Sequence, residues 1–399
     1  MSAVVSKPRI AIIGGGPGGL TLLLTLRKRG VPATLYEREA DFNTRKHLGG
    51  TLDLGYDSGQ RALRENGLQK EWEANSRPEG DSNRFYDSQK LFVAFDGDQN
   101  TDRRDLRPEI DRTALRKIML DAIPADAIKW GHALASVRPL GGGEHELTFA
   151  NGHTTVSDVL VGADGAYSRV RPLLSKAQPV YHGVTGAEIS LAPGTVQLPG
   201  LRETRENVGR GSMWAADSQR ILGAQVNGDG RIRTYAWFRG PEDWTLPEDP
   251  AGGREALLAM FEGWQPWMRN LIAHCDPAAM YQRPLYHLPL DHRWDHVRGV
   301  TLLGDAAHLM SPFAGAGANL AMLDGLELGL VLDESTAAGQ SAEEREAKIA
   351  EWEEARMSEG RRVGAIAAHN LEVAFSSTGL QGMMEAMGES MNAAARRKA

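Results

Sequence analysis

Apolar and polar positions change their spacing several times along the chain, and each change predicts an element. Arg9 to Ile13 (RIAII) is a short apolar run of strand length. After the glycines GGGPGG, the segment TLLLTLRKRG has helical spacing and stops at Gly30. PATLYERE, residues 32–39, predicts a second strand, which makes a βαβ unit of nucleotide-binding length. Residues 57–75 predict a helix broken at Gly67, and 81–104 alternate as a hairpin. Residues 108–123 predict a helix with Pro108 near its start. Residues 134–152 predict two strands around a GGG turn, and DVLVGADG (158–165) a further strand. From 180 to 240, strand-like runs separated by Gly turns predict mostly antiparallel sheet. Residues 252–275 return to helix, VTLLGD (300–305) is a strand, and 340–375 form one long helix with charges on one face.

These elements predict an α/β fold, α+β overall. A Rossmann-like domain is built from residues 1–70, 105–176 and 285–330. A β-rich substrate domain is inserted from 71–104 and 177–284, and a C-terminal helix occupies 331–399. The tail carries Met383, Met384, Met387 and Met391, which either flank a pocket entrance or face the core.

Composition narrows the function. The 399 residues carry 45 Lys and Arg against 52 Asp and Glu, a net charge of −7, which argues against nucleic acid as a partner. One cysteine, Cys275, excludes a disulfide within the chain and predicts a small buried hydrophobe in a reducing setting. The longest uncharged run, residues 10–26, has GGGPGG in its middle and is shorter than a membrane span of about 20 residues. The N-terminal stretch has no signal-peptide pattern. The expectation is a cytoplasmic protein without a membrane partner, a monomer or homodimer.

Three glycine-bearing motifs follow strands. In the first, Gly14 permits a tight turn, Gly16 leaves room for a pyrophosphate, and Gly19 lets helix and strand approach; Pro17 opens the helix. Glu37 ends the next strand, 23 positions after Gly14, where its carboxylate can accept ribose hydroxyls. Together they predict a dinucleotide. The second motif, GADGAYSRVR (162–171), places Asp164 at a strand end. The third, GDAAHLMSPFAGAGAN (304–319), places Asp305 at a carboxyl end, Pro312 in a fixed turn, and GAGAN at a probable helix start whose amides face negative charge.

In this order the three motifs resemble the class A FAD-dependent aromatic hydroxylases of the para-hydroxybenzoate hydroxylase type. A narrower likeness, in HLGGTLDLGYDSGQRAL (47–63), PEIDRTALR (108–116) and GDAAHLMSPFAG, is to the tetracycline-inactivating flavin monooxygenases. Ala316 stands where the family often has Gln. The resemblance implies non-covalent FAD held by Gly14, Gly16, Pro17, Gly19 and Glu37 at the ADP half, Arg112 near the flavin, and Asp164 in the groove. It places Asp305 on the ribityl part, and Pro312, Gly315, Ala316, Gly317, Ala318 and Asn319 beside the ring. Arg38 and Arg45 are candidate neighbours. The chemistry implied is flavin C4a-hydroperoxide hydroxylation of an aromatic or polycyclic substrate, with a tetracycline-like one as the specific candidate from the narrower likeness, with O2 and transient NADPH or NADH. No catalytic residue beyond the flavin and no metal is expected. The candidate lining is Gly50, Thr51, Met213, Trp214, Arg233, Tyr235, Trp237 and Phe238; alternation puts Arg233, Tyr235 and Trp237 on one face and Phe238 on the other, without saying which is core. Alternatives are a flavin oxidoreductase that inserts no oxygen, a halogenase, against which GWQPW (263–267) lacks the WxWxIP pattern, or a non-catalytic FAD-bound regulator.

Overall fold

A computed structural model describes residues 7–45, 49–95 and 106–377, with positions 379 and 382. The Met-rich tail lies outside the described residues.

Ile10–Ile13 is buried along its whole length because strands flank it on both sides, helices cover the face of Ile10 and Ile12, and Leu134, Leu147 and Phe149 of a three-stranded antiparallel sheet pack on the face of Ala11 and Ile13, which is why it reads as a continuous apolar run. It pairs in parallel with Ala33–Tyr36 and with Val159–Gly162. The five-stranded parallel sheet runs Val300–Leu302, Val159–Gly162, Ile10–Ile13, Ala33–Tyr36, Ile128–Lys129. One sheet therefore collects strands from the beginning, middle and late part of the chain. The carboxyl ends of three adjacent members, Ile10–Ile13, Val159–Gly162 and the edge strand Val300–Leu302, lead into the three glycine motifs.

The helix Pro17–Lys28 buries Leu20, Leu22, Leu23, Leu24 and Leu26 between this sheet and the helix Gly317–Ala337. That second helix continues past residue 330, so the domain boundary expected there falls inside a helix. The final helix, Ala342–Ala374, starts on a capping box. Ser341 accepts from the Glu344 amide at 3.2 Å, and the Glu344 carboxylate accepts from the Ser341 amide at 2.8 Å.

The inserted region forms a seven-stranded sheet ordered Met280–Gln282, Val184–Leu191, Ile232–Arg239, Arg220–Val226, Ser212–Asp217, Asn83–Tyr86, Leu91–Phe95. All pairs are antiparallel except Ser212–Asp217 with Asn83–Tyr86. Helices Pro250–Met260 and Pro266–Ala273 contribute Leu257, Met268, Leu271 and Ile272 to the core on one face. The other face turns toward the nucleotide-binding part.

Three local expectations are corrected. Glu109–Asp111 is a strand paired with Thr51–Asp53, and the helix starts only at Arg112. The segment 252–275 is two helices, because Gly263 adopts φ +81° between them. The helices Pro193–Val196 and Arg202–Val208 interrupt the expected run of strands.

Candidate functional site

The first glycine loop is shaped by close approach. A Cβ on Gly14, at φ +109°, would lie 2.3 Å from the Ala163 carbonyl oxygen, and one on Gly19 2.1 Å from the Gly14 oxygen. Gly16 differs: a Cβ there would meet nothing within 4 Å. It caps the helix opened by Pro17, whose first amides have no intrahelical partner, so the loop presents an open cradle of N–H groups at the positive end of a helix. Glu37 is buried and holds the loop: it accepts from the Gly15 amide at 2.7 Å and the Glu39 amide at 3.0 Å. Arg38 is exposed and lies 3.4 Å from Glu39. Arg45 closes a short 3-10 turn, and its side chain lies outside the described residues.

Asp164 accepts from the Arg169 amide at 2.7 Å through Oδ2, while its buried Oδ1 has no hydrogen-bond partner. A buried acceptor without a donor is costly, and a cofactor hydroxyl would satisfy it. Asp305 begins the short helix Asp305–His308 in the cleft. Although Asp305 is exposed at the cleft surface, the protein atoms crowded around its carboxyl push it above the ordinary range, against the charges of His308, Arg112 and Arg171. Arg112 lies along the 49–51 loop; a Cβ on Gly49 would be 2.6 Å from its Cδ. Gly315, at φ +58°, and Gly317 flank a helix start at which an added Cβ would meet nothing within 4 Å, and Ala316 and Ala318 keep that end free of bulk. Pro312 starts the preceding 3-10 turn. The Asn319 side chain is already engaged. It accepts from Gly55 N, Ser58 Oγ and Gly59 N at 2.8, 3.0 and 3.2 Å and donates to the Asp53 oxygen at 2.8 Å. It therefore ties the 53–59 loop to the helix start.

Arg171 was only a letter of the second motif in the sequence. In the fold it is buried and donates to the carbonyl oxygens of Ala306, at 3.1 Å, and Ala166. It joins the second motif to the third. Its partners are main-chain atoms, so no pattern of side chains could have disclosed it. Behind the third motif, His308 and Asp324 pair at 2.6 Å, and Asp324 also accepts from the Gly304 amide at 3.0 Å.

On the sheet face, the rings of Tyr235 and Trp237 stack at 4.9 Å and 19°. Trp237 meets Phe313 of the late loop at 5.8 Å, and Phe313 meets Phe375 at 5.7 Å. Trp214 lies over Gly223, whose added Cβ would be 2.4 Å from that ring. Gly50 is wedged against Tyr235 and Gln225. Arg233 is buried and pairs with Glu188 at 3.1 Å; Glu188 also takes Arg283 at 2.8 Å and the Gly49 amide at 3.3 Å. The Thr51 hydroxyl is buried and donates to Glu109 at 2.8 Å. Two candidates are corrected. Met213 and Phe238 point to the opposite face and are packed among Leu222, Ala236 and the two covering helices, because alternation sends them away from Trp214 and Trp237.

The FAD binding domain family matches residues 7–219 and 290–350. The chain belongs to that family. Monooxygenase penA of Penicillium thymicola is 30% identical across 94% of this chain and 97% of its own length. The FAD-dependent urate hydroxylase of Mycolicibacterium vanbaalenii is 30% identical across 80% of this chain and 78% of its own. The structure of Klebsiella pneumoniae HpxO with FAD and uric acid superimposes with a TM-score of 0.77 at 22% identity, covering 98% of this chain and 94% of that one. Tetracycline destructase Tet(51) gives 0.68 at 19%, covering 95% and 96%. Within the FAD binding domain family, this chain is a flavin-dependent monooxygenase with FAD as its cofactor. The stretch left unmatched, 220–289, carries Tyr235, Trp237 and the helices behind them.

Among the described residues no His, Cys, Asp and Glu group could hold a metal, and no helix is long and apolar enough to cross a membrane. Cys275 is buried, and loss of solvent pushes its thiol up to about 11, so it packs as a hydrophobe rather than reacting as a thiolate.

Proposed function

We propose that this monooxygenase hydroxylates an aromatic or polycyclic molecule held between the late glycine loop and the sheet face of Trp214, Tyr235 and Trp237, using NADPH or NADH as transient reductant. The observation that carries the reading is the contact of Trp237 with Phe313, which brings aromatic sheet residues to the loop that presents free helix amides.

Bound FAD supplies the redox chemistry, taking electrons from the nicotinamide and activating dioxygen. The chain supplies position and exclusion of water. Gly14, Gly16, Pro17 and Gly19 seat the pyrophosphate, and Glu37, with Arg38 and Arg45 nearby, faces the ADP half. Asp164 and Asp305 take cofactor hydroxyls, while Arg112 approaches the flavin from the 49–51 loop. Pro312, Gly315, Ala316, Gly317 and Ala318 border the ring, with Asn319 holding that helix start in place. With FAD bound, amides at the start of Gly317–Ala337 would offer donors to negative charge on the ring. Aromatic walls give a flat substrate large contact area and keep water from the reacting face. Gly50 and Thr51 border this site, and Arg233 adds a buried cation paired with Glu188.

The finer substrate reading is a tetracycline-like polycycle. It is supported by the sequence likeness and by the shared fold of Tet(51), whereas HpxO, of the same fold, was crystallised with uric acid. The test is NADPH and NADH oxidation by FAD-loaded protein over phenols, anthraquinones, tetracyclines and urate, with mass spectrometry for a product one oxygen atom heavier. Stimulated oxidation with such a product supports the reading. Consumption without oxygen insertion across the panel favours a flavin oxidoreductase instead.

A further inference from the structure

Glu109 is a buried carboxyl that the proposed chemistry does not use. It lies on the strand Glu109–Asp111, which the 49–51 loop joins through Thr51–Asp53. Oε2 accepts from the Thr51 hydroxyl at 2.8 Å, and Oε1 from the Ser212 hydroxyl at 3.1 Å. Ser212 belongs to the substrate sheet, so this one carboxylate bridges the two halves of the site. With its hydrogen committed to the Glu109 carboxylate, the Ser212 oxygen accepts from the Gln225 amide N–H at 3.3 Å. That turns the Gln225 carbonyl oxygen toward Gly50 and Tyr235. It and the Tyr235 hydroxyl each lie 2.7 Å from the point where a Gly50 Cβ would sit.

We propose that Glu109 is a positioning residue: as a carboxylate it sets the direction of the hydrogen bonds through Ser212 and Gln225, and so holds the Gln225 carbonyl oxygen beside Gly50, on the side where the Tyr235 hydroxyl also approaches the 49–51 loop. The charged groups around it decide where a proton would go. Arg77 lies 3.8 Å from Oε2 and is held at 2.8 Å by Asp111. Asp53, paired with Arg107 at 3.0 Å, adds a repelling charge from the neighbouring strand. Asp81 follows Gly80, whose added Cβ would lie 3.0 Å from the Glu109 Cβ. Arg77 favours negative charge on Oε2, so a proton added to the carboxylate goes to Oε1, facing Ser212. Ser212 then accepts from Glu109, which releases its own hydrogen to another acceptor; reversal of the Gln225 amide supplies that acceptor and turns N–H instead of oxygen toward Gly50 and Tyr235. Loss of solvent pushes Glu109 up to about 7, with Thr51, Ser212 and Arg77 opposing and Asp53 assisting, so the reversal falls near neutral pH.

The test uses FAD-loaded full-length protein titrated from pH 6 to pH 8.5 with two readouts, neither needing a substrate. One is the infrared carbonyl band of a protonated carboxylic acid; the other is near-ultraviolet circular dichroism of the stacked Tyr235 and Trp237 rings. Wild type is expected to lose the band and change the aromatic signal with one midpoint near 7. E109Q should lack both transitions. S212A should keep the infrared transition and lose the aromatic one, and it serves if E109Q does not fold. Unaltered transitions in E109Q, no aromatic transition in wild type, or an unchanged aromatic transition in S212A would overturn the proposal. The inference rests on the proposed site only for its place beside the substrate; loss of FAD or of turnover would speak against that reading without moving either readout.

Discussion

Arg171 reaches 135 positions along the chain to donate to the Ala306 carbonyl oxygen at 3.1 Å. This bond and the one to Ala166 fix the second motif against the third, so the loops carrying Asp164 and Asp305 keep one relative position. Replacing Arg171 by Met fills much of the space but leaves buried carbonyls without donors. We expect R171M to lose about 2–3 kcal/mol of stability and to bind FAD more weakly. Thermal unfolding with and without added FAD checks both.

The second and third glycines of the first motif should fail differently. G16A adds a methyl to open space at an unstrained φ of −77°, so apo-protein stability should stay within about 0.5 kcal/mol. FAD affinity should nonetheless fall about tenfold or more, about 1.4 kcal/mol. G19A places its methyl 2.1 Å from the Gly14 oxygen and should destabilise the apo-protein itself. Denaturant unfolding and fluorescence titration separate the two effects.

Trp237 and Phe238 are neighbours in sequence with opposite duties. F238A opens a cavity under the covering helices and should cost about 3–5 kcal/mol. W237F keeps an aromatic wall and should change which compounds in the substrate panel stimulate NADPH oxidation, with a smaller loss of stability. Unfolding curves and initial rates on both variants check this division.

The buried pair of His308 and Asp324 predicts a pH dependence. Burial alone would lower the imidazole pKa, but the charge and hydrogen bond of Asp324 outweigh it, and the result lies above 6.5. The stabilisation from protonated His308 is therefore complete below about pH 6.5 and is lost as pH rises through the higher folded value. The stability gap between wild type and D324N should be wider at pH 6 than at pH 9 in parallel unfolding experiments.

Much of this was legible in the sequence because main-chain constraints leave marks. A strand followed by GGGPGG and a helix has few ways to fold, and Glu37 at the next strand end completes the pattern. The sheet face was not legible. Alternation separates Trp237 from Phe238, but only the helices at 250–273 decide which side becomes core. The bridging role of Arg171 and the loop-tying role of Asn319 escaped for a related reason: each side chain reaches partners more than a hundred positions away, several of them backbone atoms. Pro108 misled for a local reason, since the residues after it extend to pair with Thr51–Asp53 before the helix begins.

The expectations about cofactor and substrate depend on a single extended FAD lying across both glycine loops. A crystal structure of the FAD-loaded protein tests that most directly. The pyrophosphate should lie over Gly16, and the isoalloxazine ring beside residues 312–318, facing Trp237 and Tyr235. A ring bound away from that late loop, or a protein that cannot be loaded with flavin, would contradict the account.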